Sequence, residues 1–161
     1  MENIFKENIK PINIECRVLK NTDVDSLSIF FDEIMSNNDN ELFCPHPFTK
    51  EYAHKICNYS GLDVYCAVFG DKNILGYGML RGWDEGFEIP SLGIAISRSA
   101  RGIGLGKMFM LFLHSFAKCR GSKYIRLTVY DKNIIAKNLY NELGYSFKRY
   151  DENSAVGILE L

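Results

Sequence analysis

The chain lacks a Cys-x-x-Cys pair, a long apolar run and an excess of either charge. Its five cysteines are an odd number, which gives no sign of a disulfide framework. Reduced thiols in a cytoplasmic protein are therefore expected, and no apolar segment with a small-residue cleavage site at the N-terminus points to a signal peptide. The longest apolar stretch, Met108 to Leu113, is far too short to span a bilayer. Lysine and arginine (19) nearly cancel aspartate and glutamate (20), so nothing in the charge balance calls for nucleic acid or an anionic membrane as partner. There are four prolines and one tryptophan, no internal repeat and no low-complexity linker.

What is present is an ordinary globular composition over 161 residues, enough for one domain with its own core and no need of a metal or disulfide. The hydrophobic pattern predicts a strand over 12–18 and a helix to about Ser36, capped by Thr22 or Asp23, with Val24, Leu27, Phe30, Phe31 and Ile34 at helical spacing. Thr49 is expected to cap a short helix ending near Asn58. Strands are predicted over 64–69 and 74–80, joined by a turn at Gly70-Asp-Lys-Asn73. A strand over 92–96 follows, then a helix over about 104–118. Next come a strand over 124–129, a helix over 133–142 stopped by Gly144, and strands over 145–149 and 155–161. The order β-α-α-β-β-β-α-β-α-β-β predicts a single mixed α/β domain over 1–161, its core beginning near residue 12.

The stretch Arg98-Ser-Ala-Arg-Gly-Ile-Gly-Leu-Gly-Lys107 lies between a predicted strand and a predicted helix. It is not a Walker loop: Arg101 stands where the first glycine belongs, and Met108 follows Lys107 where a hydroxyl is needed. It is not a dinucleotide fingerprint, since both possible glycine frames fail at the third position. Its glycines permit positive φ and close backbone approach, and the N–H groups at the following helix start suit an anion. With Arg98, Arg101 and Lys107 adding positive charge, the loop reads as a pyrophosphate cradle.

Downstream, Asn133, Ala136, Lys137 and Tyr140 share one helix face, beside an apolar stripe of Ile135, Leu139 and Leu143 expected to hold the helix to the sheet. Arg101-x-x-Gly104-x-Gly106, preceded by Leu92-Gly-Ile-Ala-Ile96 and followed by Val129-Tyr-Asp-Lys-Asn133, Leu139-Tyr140 and Gly144-Tyr145, resembles the GNAT superfamily of acetyl-CoA-dependent N-acetyltransferases over nearly the whole chain. The resemblance implies a splayed mixed sheet of about seven strands flanked by about four helices. It implies pantetheine beside the backbone of Ile94 and Ile96, and pyrophosphate on the amides of Gly102, Ile103, Gly104, Leu105, Gly106 and Lys107. It also implies that Asn133 meets the pantetheine arm and that Tyr140 protonates the leaving thiolate, with Lys137 a candidate phosphate contact.

Acetyl transfer to an amine needs a base, a polarised carbonyl and a proton for the leaving group. The amide of Ile94 or Ile96 is a candidate for the second task. The strand over 91–97 carries no acid, which departs from the family's commoner pattern. Glu88 is the nearest carboxylate to it, with Asp84 and Glu85 also upstream, and it shares the parity of Ile94 and Ile96 if the strand continues through Pro90. His46, Phe48, Trp83 and Asp84 are the candidate acceptor contacts. Cys44, His46, His54 and Cys57 form a rival set of zinc-competent ligands, although their spacing matches no common finger and no metal is needed for folding.

The resulting expectation is transfer of an acetyl group from acetyl-CoA to the primary amine of a small molecule, with no metal. Alternatives are a non-catalytic acyl-CoA sensor of the same fold and a protein N-terminal or lysine acetyltransferase. A homodimer is compatible with the sequence.

Overall fold

Strand β2 (Val64–Gly70) is apolar or small at every position and buried on both faces. Alternation sends Val64, Cys66 and Val68 to one core and Tyr65, Ala67 and Phe69 to another. A strand of this kind must have helices on both sides, and it does. The computed structural model describes residues 12–161; the expectation about an N-terminal leader lies outside them. Helices α1 (Val24–Ser36) and α2 (Lys50–Cys57) cover one face of the sheet, while α3 (Leu105–Cys119) and α4 (Ile134–Glu142) cover the other. No helix among the described residues is long and apolar enough to cross a membrane.

The other strands are β1 (Ile14–Val18), β3 (Asn73–Arg81), β4 (Ser91–Ile96), β5 (Tyr124–Tyr130), β6 (Ser146–Arg149) and β7 (Ser154–Glu160). The seven-stranded sheet runs β1-β2-β3-β4-β5-β7-β6. Its pairs are antiparallel except β4 with β5, which are parallel and share a single register pair, Ser91 with Arg126. The Arg126 N–H donates to the Pro90 carbonyl at 3.0 Å; beyond this point the strands diverge.

The core that holds the splay is dense. Phe109, Met110 and Leu113 of α3 are fully buried, each worth roughly 1.5–3 kcal/mol of transfer energy. Phe109 and Leu113 come close to β3 because Gly78 has no side chain there. A Cβ on Gly78 would lie 2.9 Å from both Leu113 Cδ1 and Phe109 Cζ.

Local rules account for most helix ends. Thr49 Oγ1 accepts from the Tyr52 N–H at 3.2 Å and caps α2. Asp23 stands at the N-cap of α1 but makes no cap bond. Its carboxylate instead accepts from Arg17 Nη1 at 2.6 Å, Arg17 Nη2 at 3.0 Å and the Lys20 N–H at 2.7 Å. A half-buried, bidentate guanidinium outcompetes a helix N–H for one carboxylate. The stripe expected on α4 is also corrected. Leu139 and Leu143 pack on the core, but Ile135 is 84% exposed. The inward face is Ala136, Leu139, Tyr140 and Leu143, and Ile135 sits one residue, about 100°, off that line.

Candidate active site

The glycine loop turns from β4 into α3 without any side-chain cap. Gly102 and Gly104 have φ of +77° and +85°, a region costly for other residues, and a Cβ on either would meet nothing within 4 Å. Space therefore lies open in front of both. The first backbone bond of α3 is Met108 N–H to the Gly104 carbonyl. The N–H groups of Gly102 through Lys107 have no acceptor among the described residues. A run of free donors at a helix N-terminus is the arrangement an anion requires.

The two arginines of the loop are not free to assist as expected. Arg101 Nη2 meets Asp39 Oδ2 at 2.8 Å, and its Nε–H donates to the Ile96 carbonyl at 3.0 Å. Arg98 Nη2 meets Asp39 Oδ1 at 3.1 Å and the Asn37 carbonyl at 2.7 Å. Asp39 thus ties the loop to the segment after α1. Lys107 has only a loose, exposed contact to Glu142 at 3.8 Å.

Beside the loop, the divergence of β4 from β5 leaves an edge inside the sheet. The Ser97 N–H donates to the Leu75 carbonyl of β3. By alternation, the backbone groups of Ala95 and Gly93 face β3, and those of Ile96 and Ile94 face the gap. Arg101 bonding to the Ile96 carbonyl agrees with that direction. The N–H groups of Ile94 and Ile96 have no partner strand. The Leu139 side chain closes the wall here, near Ile96 and Gly106.

Asn133 caps α4, its Oδ1 accepting from the Ala136 N–H at 3.3 Å. Lys137 Nζ is 3.0 Å from Asp131 Oδ1, and Arg149 bonds the other oxygen of the same carboxylate. These bonds, that of Arg149 first, hold the Asp131 carboxyl below its ordinary range. Tyr140 is buried, and its hydroxyl makes no hydrogen bond among the described residues. Burial pushes its phenol up to about 12. Its ring centroid is 5.8 Å from that of Tyr145, whose hydroxyl is 2.8 Å from His114 Nε2. His114 is buried and pushed down to about 4.

On the opposite face of the sheet, the gap opens into a cleft of about 970 Å³. Its walls include Phe43, Arg81, Glu85, Phe87, Glu88, Ser91, Arg126 and Tyr150. Glu88 is therefore in the cleft, but in a bend: the strand begins at Ser91 and does not continue through Pro90. The other expected acceptor contacts do not line this cleft. His46 is buried under α1 and α2, with Nε2 2.9 Å from Tyr77 Oη, Nδ1 2.8 Å from the Pro47 carbonyl and its ring stacked on Tyr52. Phe48 packs in the same core. Trp83 lies under the Arg120 guanidinium. Asp84 accepts from the N–H groups of Leu62 and Asp63 and from the Tyr59 hydroxyl, bonds that lower its pKa. The rival zinc ligands are dispersed: His46 and Cys57 are buried, and Cys44 and His54 are exposed. No group of three or more metal-competent side chains occurs among the described residues.

Arg81, Ser91 and Arg126 were not expected in the cleft. The only hint in sequence is that Arg126 and Thr128 alternate with buried Ile125, Leu127 and Val129. That places them on the face away from α3, but it does not say which strand lies beside them.

A splayed mixed sheet with a free-amide loop at the mouth of the splay defines an anion-binding class of α/β fold. The family model of the Acetyltransferase (GNAT) family matches residues 31–145, and the chain belongs to that family. Among solved structures it is similar to PaiA N-acetyltransferase from Thermoplasma acidophilum in complex with coenzyme A, at 16% identity and a TM-score of 0.75 over 92% of this chain and 99% of that one. A GCN5-related N-acetyltransferase from Kribbella flavida matches at 21% identity and a TM-score of 0.77, covering 92% and 98%. Ribosomal-protein-S5-alanine acetyltransferase from Vibrio fischeri matches at 15% and 0.74, covering 94% and 97%. At these identities the likeness is one of fold. No sequence among curated proteins matches the chain.

Proposed function

We propose that the protein moves an acetyl group from acetyl-CoA to the primary amine of a small molecule by direct attack, both substrates being bound together. The observation that carries this reading is the pair of strand N–H groups, of Ile94 and Ile96, left without a partner strand beside the free N–H run of Gly102 to Lys107. Acetyl-CoA supplies an activated acetyl thioester. The loop amides hold its pyrophosphate in the open space before Gly102 and Gly104. The Ile94 and Ile96 backbone orients the pantetheine arm, and an N–H from this edge donates to the thioester carbonyl. Asn133 closes the arm's path at the start of α4. Tyr140, protonated throughout the working range, donates the hydroxyl proton to the departing thiolate.

Glu88 enters from the other face and takes the proton of the acceptor ammonium, directly or through water. The cleft volume suits a small ligand. Five free cysteines, three of them pushed up to about 12 by burial, fit a reducing cytoplasm.

The test is incubation with acetyl-CoA and a panel of amines, following free thiol and product mass. Amine-dependent thiol release is expected, and Glu88→Gln should remove the acidic limb of the pH–rate profile. Tight acetyl-CoA binding with no transfer to any amine would make the protein a sensor. Transfer to peptide amines alone would make the acceptor a protein.

A further inference from the structure

Arg81, Ser91 and Arg126 stand in one row across three strands. Ser91 is the register partner of Arg81 on β3 and of Arg126 on β5. Paired residues project to the same face, so the three side chains rise together into the cleft, and all three line it. Two strand spacings separate the arginine Cα atoms by roughly 10 Å. The row crosses the sheet where β4 and β5 part, three residues before Ile94 along β4.

Neither guanidinium has a carboxylate within 4.0 Å among the described residues. Arg81 Nη1 donates to the Pro45 carbonyl at 3.1 Å, which fixes that side chain while leaving its other donors available. Arg126 makes no side-chain hydrogen bond, and its Nε is the one buried side-chain polar atom without a partner among the described residues. Every other arginine near the sites above is satisfied by an acid or a carbonyl. A buried, unanswered guanidinium donor calls for an acceptor from outside the chain.

The acids of the same cleft, Glu85 and Glu88, lie on the loop between β3 and β4 rather than on the sheet. Positive charge on the floor and negative charge on the wall match a molecule carrying both signs. A planar carboxylate fits a forked guanidinium pair, whereas a dianionic phosphate would face two nearby carboxylates.

We propose that the acceptor is a small amino carboxylate, of the amino-acid class, whose carboxylate is bound by Arg126 and Arg81 with Ser91 between them and whose amine points to Glu88 and the gap. Phe43, Phe87 and Tyr150 then surround its side chain. This inference rests on the acetyl-transfer reading for its amine, but the anion site stands independently of it.

The experiment compares amino acids with their carboxamides as acceptors, phenylalanine and phenylalaninamide first, at saturating acetyl-CoA. The acid form should be favoured at least tenfold in kcat/KM. Arg126→Gln should raise KM for the acid at least tenfold, raise that for the carboxamide by much less, and leave acetyl-CoA affinity unchanged. Arg81→Gln should act in the same direction and more weakly, and it serves if Arg126→Gln does not fold. Calorimetric titration of phenylalanine into the CoA-loaded protein gives a readout without turnover. Equal use of acid and carboxamide would overturn the carboxylate site and leave acetyl transfer standing. Arg126-dependent binding of the amino acid with no thiol release would support the site and overturn the transfer reading. Preference for phosphoethanolamine over every amino acid would overturn the choice of carboxylate.

Discussion

Ser91 and Arg126 are the one pair of residues through which β4 and β5 meet. The sheet is thus two antiparallel halves, β1 to β4 and β5 to β7, joined by a single parallel contact and by α3 packed across both. That relationship puts the unpartnered N–H groups of Ile94 and Ile96, the glycine loop and the charged cleft at one place.

Gly104→Asp should place a strained side chain and a negative charge in the open space before the loop amides. Acetyl-CoA affinity is expected to fall at least tenfold, about 1.4 kcal/mol or more. Calorimetry on the folded variant checks this, and unchanged affinity would remove the loop from the binding site.

Tyr140→Phe deletes a hydroxyl that makes no hydrogen bond among the described residues, so the fold should lose little. The rate should drop roughly 10²-fold, with acetyl-CoA affinity nearly unchanged. The loss should shrink with a donor whose thiol leaves more easily. Full turnover in steady-state assays would leave water as the proton source.

His46 and His114 are buried as neutral rings and pushed down to about 4, chiefly by burial. The unfolded chain protonates them near 6.5, so between pH 6.5 and 4 it binds more protons than the native state. Stability is full above about pH 6.5 and is lost as pH falls through 4. Each ring contributes up to about 3 kcal/mol to that loss. Urea unfolding at pH 7 and pH 4.5 should show the decline, and His114→Gln should flatten part of it. A flat profile would contradict neutral burial.

Asp23→Ala leaves Arg17 without its buried bidentate partner and frees the Lys20 N–H. A loss of about 2–3 kcal/mol is expected. Asp25→Ala, which breaks an exposed ion pair with Lys50, should cost less than about 1 kcal/mol. Denaturant midpoints at equal m compare the two.

The element order was legible because each element obeys a local rule. The α1 stripe of Leu27, Phe30, Phe31 and Ile34 is buried as its spacing predicts, and Thr49 and Gly104 mark helix starts by their own chemistry. Local rules failed where a distant group competes. Asp23 is taken by Arg17, and Arg98 and Arg101 are taken by Asp39, a residue about sixty positions earlier in the chain. His46 was a candidate acceptor contact, but burial and Tyr77 hold it in the core. The cleft was hidden for the same reason: Arg81 and Arg126 become neighbours only through strand register, which no single segment encodes.

The open edge of β4 also has a consequence for exchange with solvent. Strand amides in mid-sheet normally exchange with deuterium only on large-scale opening. Those of Ile94 and Ile96 face a wedge that narrows to one strand spacing at Ser91, so they should exchange early while the amides of Ala95 and Gly93 stay protected. The same wedge admits only a thin chain able to hydrogen-bond like a strand. Another protein's edge strand is barred by α3 and α4 on one side and Leu139 at the mouth. A ligand lying there would slow exchange at two residues out of a strand of six, a signature readable before any product is made.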